Sequence, residues 1–305
     1  LDVALTDTIF EQYAVKRPIP ARGGKSIEWR RFEKITVTAG SYTLLEGTAP
    51  LATQATISSV AATISQFGQF KFYLVNEEII YTENLDLEKI NSYDFIIFAS
   101  RHQSEKKEKT LSVHAPGNWR LAEFGGEKNK VCKTSAVFSK QMFEKLNQNA
   151  DQFRLTDYKI TMEATHHGPL IDKPCVFIEI GSTETEWADK LAGFVIARTI
   201  SGTIESFKEN PYNEIAIAIG GTHYCPGFNK IQLKSNVAVS HVISQYAFPV
   251  TEEMIAEAIA KTEEELDFVL LDWKGLGNAD QRQRILEILK KLYLDYKRTS
   301  DIIKE

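Results

Sequence analysis

Residues 160–170 read I-T-M-E-A-T-H-H-G-P-L and place a carboxylate, Glu163, and two adjacent imidazoles, His166 and His167, just ahead of a glycine-proline pair. Glycine tolerates turn dihedrals and proline lacks a backbone donor, so the pair ends a short strand. The two histidines then stand at a carboxyl end, where open α/β sheets place their ligands. All six histidines fall between residues 102 and 241, so chemistry that needs imidazole belongs to the middle of the chain. Other apolar runs also finish in polar or glycine-bearing turns. These are Ser100-Arg101-His102, Thr110 to His114 followed by A-P-G-N, Gly181-Ser182-x-Glu184, and Gly220-Gly221-Thr222-His223.

If these ends meet on one rim, they gather imidazoles and one or two carboxylates around a point. Such a set suits a divalent metal, zinc first, because zinc takes neutral imidazole and carboxylate, and a catalytic site keeps one position for water. Water held there ionises near pH ~7 and can attack an ester. The expected metal ligands are His102, His114, His166 and His223. The expected catalytic groups are Glu163, His166, His167 and Glu184, with Glu163 or Glu184 as general base. Adjacent strand residues point to opposite faces, so only one of His166 and His167 reaches a given metal unless the strand has already ended. There is no HExxH and no CxxC, and the competing reading is that single histidines cap strands and bond backbone. His241, inside Val239-Ser240-His241-Val242-Ile243, is read that way.

The same turns supply the expected substrate contacts: Arg101, Asn118, Gly181, Ser182, Gly220, Gly221, Thr222 and Lys274. Without a Cβ, the three glycines let a ligand come close. They form neither GxGxxG nor a P-loop, which sets aside dinucleotide and nucleoside-triphosphate sites. Lysines gather at 106, 107 and 109, at 128, 130 and 133, and at 230 and 234. They are either solvated loops or a phosphate track for an RNA end. Cys132, Cys175 and Cys225 are too few and scattered for a disulfide framework.

From Lys71 the elements that carry these turns alternate strand and helix. Residues 71–75, 79–82, 94–100, 110–114, 175–180, 214–219 and 268–273 read as strands, several of them continuously apolar as buried strands are. Residues 134–147, 183–199, 251–262 and 278–296 read as helices, with Thr134 or Ser135, Thr183 and Thr251 as caps, and 85–90 as a helical turn. This pattern predicts an α/β three-layer sandwich on a mixed, largely parallel sheet. Residues 1–70 differ: they are rich in Thr, Ser, Ala and Gln, lack His, and alternate like strands at 26–32, 36–45 and 55–70. Two parts are therefore expected, a β-rich segment over 1–70 and an α/β domain over 71–305.

The 305 residues leave ample mass for a core, and the formal charge of −5 argues against coating nucleic acid through bulk charge, with a local basic patch still open. No apolar run approaches the ~20 residues that span a bilayer, and the amino terminus lacks the order of a secretory signal. The expectation is a cytoplasmic protein with no membrane partner, a monomer or homodimer.

Taken together, S-R-H (100–102), L-S-V-H-A-P-G-N (111–118), A-T-H-H-G-P (164–169), E-I-G-S-T-E-T-E-W (179–187) and G-G-T-H-Y-C-P (220–226) resemble the archaeal and plant type of D-aminoacyl-tRNA deacylase. The resemblance runs from about Phe70 to the end. It implies a zinc-dependent hydrolase of the ester between a D-amino acid and tRNA. It also implies a fold like that of the phosphorylase and peptidyl-tRNA hydrolase group. The family's motif histidines fall at His102, His114, His166, His167 and His223, with Glu163 and Glu184 nearby. Separately, R-P-I-P-A-R-G-G-K-S-I-E-W-R-R-F, L-L-E-G-T-A-P and Q-F-G-Q-F, within residues 10–70, resemble the amino-terminal part of a tailed-phage major capsid protein. Deacylases open with their own strand and helix at that place, so an uncovered sheet strand is expected here. The other readings are a metal-dependent peptidase, a nucleoside phosphorylase-like enzyme, and a non-enzymatic assembly protein.

Overall fold

The computed structural model describes residues 2–6, 34–36, 42–45, 72–75, 78–81, 90 and 93–303. Its strands in chain order begin with β1 (Asp2–Thr6), β2 (Lys34–Thr36), β3 (Tyr42–Leu45), β4 (Phe72–Val75), β5 (Ile96–Gln103) and β6 (Thr110–His114). A small hairpin, β7 (Gly117–Asn118) and β8 (Lys130–Val131), precedes helix α1 (Ala136–Gln152). Then come β9 (Lys159–Met162), β10 (Cys175–Ser182), the short α2 (Glu184–Trp187) and α3 (Lys190–Ser206). The last part is β11 (Glu214–Ile219), α4 (Pro226–Lys234), β12 (Val237–Ile243), α5 (Glu252–Ala260), β13 (Phe268–Leu271), α6 (Ala279–Lys291), β14 (Tyr296–Arg298) and α7 (Thr299–Ile302).

The fold is α/β with mixed, largely parallel sheets, as the alternation predicts, but there are two large sheets where one was expected. The first has eight strands in the order β2-β3-β4-β1-β5-β10-β6-β9 and the second has four in the order β12-β11-β13-β14. In the first, β5 pairs parallel with β10, and β10 pairs antiparallel with β6. All three pairings of the second are parallel. Helix α1 packs on both β6 and β12, so one apolar core joins the sheets. Strand pattern alone does not say which strands pair, which is why the division is invisible in the sequence.

Side-chain alternation gives the first sheet two unlike faces. Ile97, Ala99, Leu111, Val113, Val176, Ile178 and Ile180 meet Phe138, Met142 and Leu146 of α1 and Val195 and Ile200 of α3. The opposite face starts apolar, with Ile96, Phe98, Cys175 and Phe177 packed on Cys132 and Ile171. Farther along the same strands it turns polar, with Ser100 and His102 on β5, Glu179 on β10, and Ser112 and His114 on β6. That change of polarity marks the site.

Several helix ends follow the capping residues. The Ser135 side chain accepts from Phe138 N, and Thr251 accepts from Met254 N. The single helix expected over 183–199 is two, because Asp189 starts a second one, its carboxylate accepting Leu191 N at 2.8 Å and Ala192 N at 3.2 Å. The strand expected at 79–82 is a 3-10 turn, Ile79–Tyr81. Strand β5 is not left uncovered: β1 pairs parallel with both β4 and β5. The strands expected at 26–32 and 55–70, and the turn at 85–90 apart from Ile90, lie outside the described residues. Among the described residues, no helix is long and apolar enough to cross a membrane.

Candidate active site

Sheet register places the first three groups. Glu179 lies across from Ser100 on one side and Ser112 on the other, while His102 lies across from Gly181 and His114 from Phe177. His102, His114 and Glu179 therefore share the polar face. Gly181 makes room for one of them, since a Cβ there would lie 2.8 Å from His102 Cδ2 and 2.8 Å from Thr110 Oγ1.

The segment after β9 brings the next three. Glu163 N bonds Val113 O at 3.1 Å, Ala164 N bonds His223 O at 2.8 Å, and Thr165 N bonds Val242 O at 3.1 Å. Residues 163–165 thus pass from the edge of one sheet to the strand ends of the other. Strand β9 has ended at Met162, and His167 adopts a left-handed φ of 46°. Alternation no longer applies, and both histidines reach the cluster. Their ring centroids are 4.3 Å apart, and that of His114 lies 4.3 Å from His166 and 4.9 Å from His167. From the second sheet, Gly220 and Gly221 turn the chain with φ of 104° and 75°, conformations that glycine adopts without a Cβ clash. This delivers His223 to within 4.6 Å of the His166 ring.

Two buried carboxylates hold the five imidazoles together. Glu163 Oε2 lies 3.0 Å from His223 Nε2 and 3.4 Å from His166 Nε2. Glu179 Oε2 lies 3.4 Å from His114 Nε2, and Glu179 Oε1 lies 3.9 Å from His167 Nε2. His102 Nδ1 sits between them, 3.6 Å from Glu163 Oε1 and 3.5 Å from Glu179 Oε2. On its other side, His102 Nε2 is 3.2 Å from the Tyr224 hydroxyl.

Three rings have their tautomer fixed by backbone carbonyls. His114 Nδ1 donates to Ala115 O at 3.2 Å, His166 Nδ1 to Ala164 O at 2.8 Å, and His167 Nδ1 to Gly168 O at 2.6 Å. A carbonyl only accepts, so each Nδ1 carries a hydrogen and the neutral ring presents Nε2 as a bare lone pair. One ligating atom from each of these three residues lies within 4.8 Å of the others. The same holds for His102, Glu163 and His166, and for His114, Glu163 and Glu179. His114 Nε2, Glu163 Oε1 and Glu179 Oε2 are buried with no hydrogen-bond partner among the described residues. Orphaned buried polar atoms cost ~1–3 kcal/mol each. A cluster of them rich in lone pairs and poor in donors fits a metal cation.

The electrostatics agree. Burial opposes ionisation of Glu163, but the His223 hydrogen bond and the fields of His102 and His166 outweigh it and hold the carboxyl below its usual range. Glu179 is likewise lowered against burial, by the imidazoles of His102 and His114 that lie beside it. Burial works against charging His102, yet the two glutamates raise it to about 9. His114 is raised in the same way. Burial, then the charge of His114, lowers His166 well below its usual value and His167 to about 4.

The structure brings together His102, His114, Glu163, His166, His167 and His223. It differs from expectation in three respects. His167, expected to be catalytic only, is in a converging set, whereas His223 engages Glu163 and is in none of the sets found among the described residues. Glu184 is exposed at the start of α2, away from the cluster. The second carboxylate that lies in the cluster is Glu179, which motif reading missed. The signal was present: a lone carboxylate in the apolar run C-V-F-I-E-I must be paired when the strand is buried. Tyr224 was missed as well. A wholly buried His241 hydrogen-bonds Thr165 Oγ1 and Lys261 O, the structural role expected of it.

Several of the residues expected to contact substrate hold the site's framework together. Asn118 is buried and donates to Gly125 O at 2.8 Å, and buried Ser182 donates to Glu108 O at 2.5 Å. Gly181 packs on His102, and added Cβ atoms on Gly220 and Gly221 would meet Asp272. Arg101 is half-buried over the Trp187 ring at 5.0 Å, and Thr222 and Lys274 are exposed. Lys109, Lys130 and Lys133 pair with Asp157, Glu257 and Glu263. The three cysteines are buried and free.

Comparison with known proteins agrees with this geometry. The family model described as D-aminoacyl-tRNA deacylase matches residues 89–297. The chain is 36% identical to the D-aminoacyl-tRNA deacylase of Thermococcus onnurineus over 234 residues, 75% of this chain and 84% of the relative. It is 37% identical to that of Pyrococcus furiosus over 227 residues, 72% of this chain and 81% of the relative. A crystal structure described as a conserved protein of unknown function is similar with a TM-score of 0.78 and 27% identity, over 100% of this chain and 96% of that one.

Proposed function

The chain belongs to the D-aminoacyl-tRNA deacylase family, and on that premise we propose that its His/Glu cluster hydrolyses the ester linking a D-amino acid to the terminal adenosine of tRNA. The observation that carries this reading is the convergence of His114, His166 and His167 beside two buried, ionised glutamates, with unpartnered acceptor atoms among them. These three imidazoles, with Glu179 or Glu163, would hold a zinc ion. Zinc bound there supplies a Lewis acid for the ester carbonyl and makes water a nucleophile near neutral pH.

The protein's own groups do the rest. Glu163 Oε1, buried and without a hydrogen-bond partner, is placed to take the proton of the attacking water. Its other oxygen holds His223 Nε2 at 3.0 Å and so orients that ring. His223 Nδ1 has no hydrogen-bond partner among the described residues, and its side chain is 32% exposed. As the hydroxyl of water bonds the acyl carbon and the acyl–oxygen bond breaks, the ribose oxygen takes up a proton, which His223 is placed to deliver, leaving a free amino acid and tRNA.

The test is deacylation of D-tyrosyl-tRNA and L-tyrosyl-tRNA by purified protein, with and without chelator. Hydrolysis of the D-ester alone, lost on chelation and restored by zinc, is expected. Full activity in metal-free protein overturns the zinc assignment; no hydrolysis of the D-ester overturns the substrate. A cytoplasmic monomer or homodimer, and a division near residue 70 with a capsid-like segment ahead of it, are further parts of this reading.

A further inference from the structure

Exposed apolar side chains are informative when they cluster. Among the described residues, four large ones are more than half exposed: Leu121 at 64%, Phe124 at 57%, Tyr246 at 67% and Tyr293 at 96%. Tyr293 follows α6. The other three sit on two loops that bond directly to the histidine-bearing turns. Phe124 O accepts Gly168 N at 2.8 Å, one residue beyond His167. Gln245 N donates to Gly221 O at 3.0 Å, two residues before His223. Arg120 fastens the loops to each other, Nε to Ala247 O at 2.8 Å and Nη2 to Pro249 O at 2.8 Å. Leu121 and Tyr246 are the sequence neighbours of that clamp. Trp119 Nε1 to Val242 O and Asn118 Nδ2 to Gly125 O pin the first loop from below.

We propose that Leu121, Phe124 and Tyr246 form a stacking platform for the unpaired nucleotides at the 3′ end of the tRNA. This rests on the substrate reading above. The ester hangs from the last nucleotide of a single strand, so the nucleotides before it must leave over the rim of the cluster. These loops adjoin that rim. Their charges cancel, since Glu123 and Glu127 accompany Arg120 and Lys128, and the chain as a whole is at −5. Phosphate attraction from this loop is therefore weak, and base faces are what apolar and aromatic side chains hold without reading sequence. The pinned loops keep the side chains in water before binding, which lowers the ordering cost.

The experiment measures Phe124→Ala, Tyr246→Ala and Phe124→Trp on two substrates, D-tyrosyl-tRNA and the D-tyrosyl ester of adenosine, which lacks the upstream nucleotides. Each aromatic lost should cost roughly 10-fold in kcat/KM on tRNA, carried by KM, as base stacking is worth at protein surfaces. The adenosine ester should change less than about twofold, and Phe124→Trp should stay near wild type on both, because stacking needs only an aromatic face. Equal losses on both substrates, or none on either, overturn the platform. So does a wild-type dimer that the alanine variants dissolve while KM for tRNA stays constant. Wild-type turnover of charged tRNA is the separate control. If it is absent, the substrate reading fails, and anisotropy of a labelled single-stranded 3′-terminal oligonucleotide, with wild type against Tyr246→Ala, still decides the platform.

Discussion

Glu179 Oε2 and His114 Nε2 face each other at 3.4 Å across the antiparallel β6–β10 pair, both buried and both without a hydrogen bond. A carboxylate buried in the middle of an apolar strand persists only with such partners. Glu179→Gln keeps the shape and removes the charge that holds His102 and His114. Second partners of this kind are typically worth 10–100-fold in metal affinity or activity. Turnover is expected to fall by about 100-fold, with the content of the proposed metal dropping in parallel, while Glu184→Gln stays within about twofold because Glu184 is exposed. A larger loss at position 184 than at 179 would reverse the assignment of the second carboxylate.

Gly181 was expected to contact substrate, and the structure gives it a different task. A Cβ at this position would stand 2.8 Å from His102 Cδ2, so alanine must push the ring from between its two glutamates. Gly181→Ala should lower kcat by more than about tenfold, at a stability cost of about 1–3 kcal/mol from overpacking. Its KM should change little. A raised KM with kcat unchanged would return Gly181 to the substrate pocket.

The sequence made the histidines legible because each stands beside turn residues that interrupt an apolar run. His166 and His167 precede Gly168-Pro169, and His223 follows Gly220-Gly221. Glu179 was hidden because it lies within a strand, where only its pairing to Ser100 and Ser112 shows which face it shares. His167 was undervalued for a related reason. Strand alternation excludes two neighbours from one site, and only the left-handed turn at His167 lifts that rule. The split into two sheets was out of reach, since strands of equal apolarity carry no label for their partners.

Tyr224 follows His223 in the same turn and touches the cluster through its hydroxyl, 3.2 Å from His102 Nε2. Its ring also lies 4.7 Å from the Lys159 ammonium, which keeps it in place when the hydroxyl is removed. It is a positioning residue, since it reaches the chemistry only through His102. A hydrogen bond of this kind contributes about 0.5–1.5 kcal/mol, so Tyr224→Phe should lower kcat by roughly fivefold with KM unchanged. In the ring-nitrogen NMR spectrum of His102, the Nε2 signal should move in the variant. An unmoved signal together with an unchanged kcat would make the contact incidental.

His241 is not one of the cluster's histidines and gives the protein a separate response to acid. Its ring is wholly buried between Thr165 Oγ1 and Lys261 O, both at 3.3 Å, with Trp119 edge-on. Burial lowers its pKa to about 4, against 6.5 for the free side chain. Between those values the unfolded chain takes up a proton that the folded chain refuses. Stability is therefore complete above about pH 6.5 and falls as pH drops toward 4, by about 1.4 kcal/mol per unit and roughly 3 kcal/mol in all. His241→Gln keeps an amide donor and acceptor in the pocket and removes the titration. Urea midpoints measured from pH 7.5 to pH 5 should fall less steeply for this variant than for wild type, although the variant starts lower. His166 and His167, also lowered, remain in both proteins, so the difference in slope isolates His241. Parallel curves would mean that the buried ring takes up its proton without penalty.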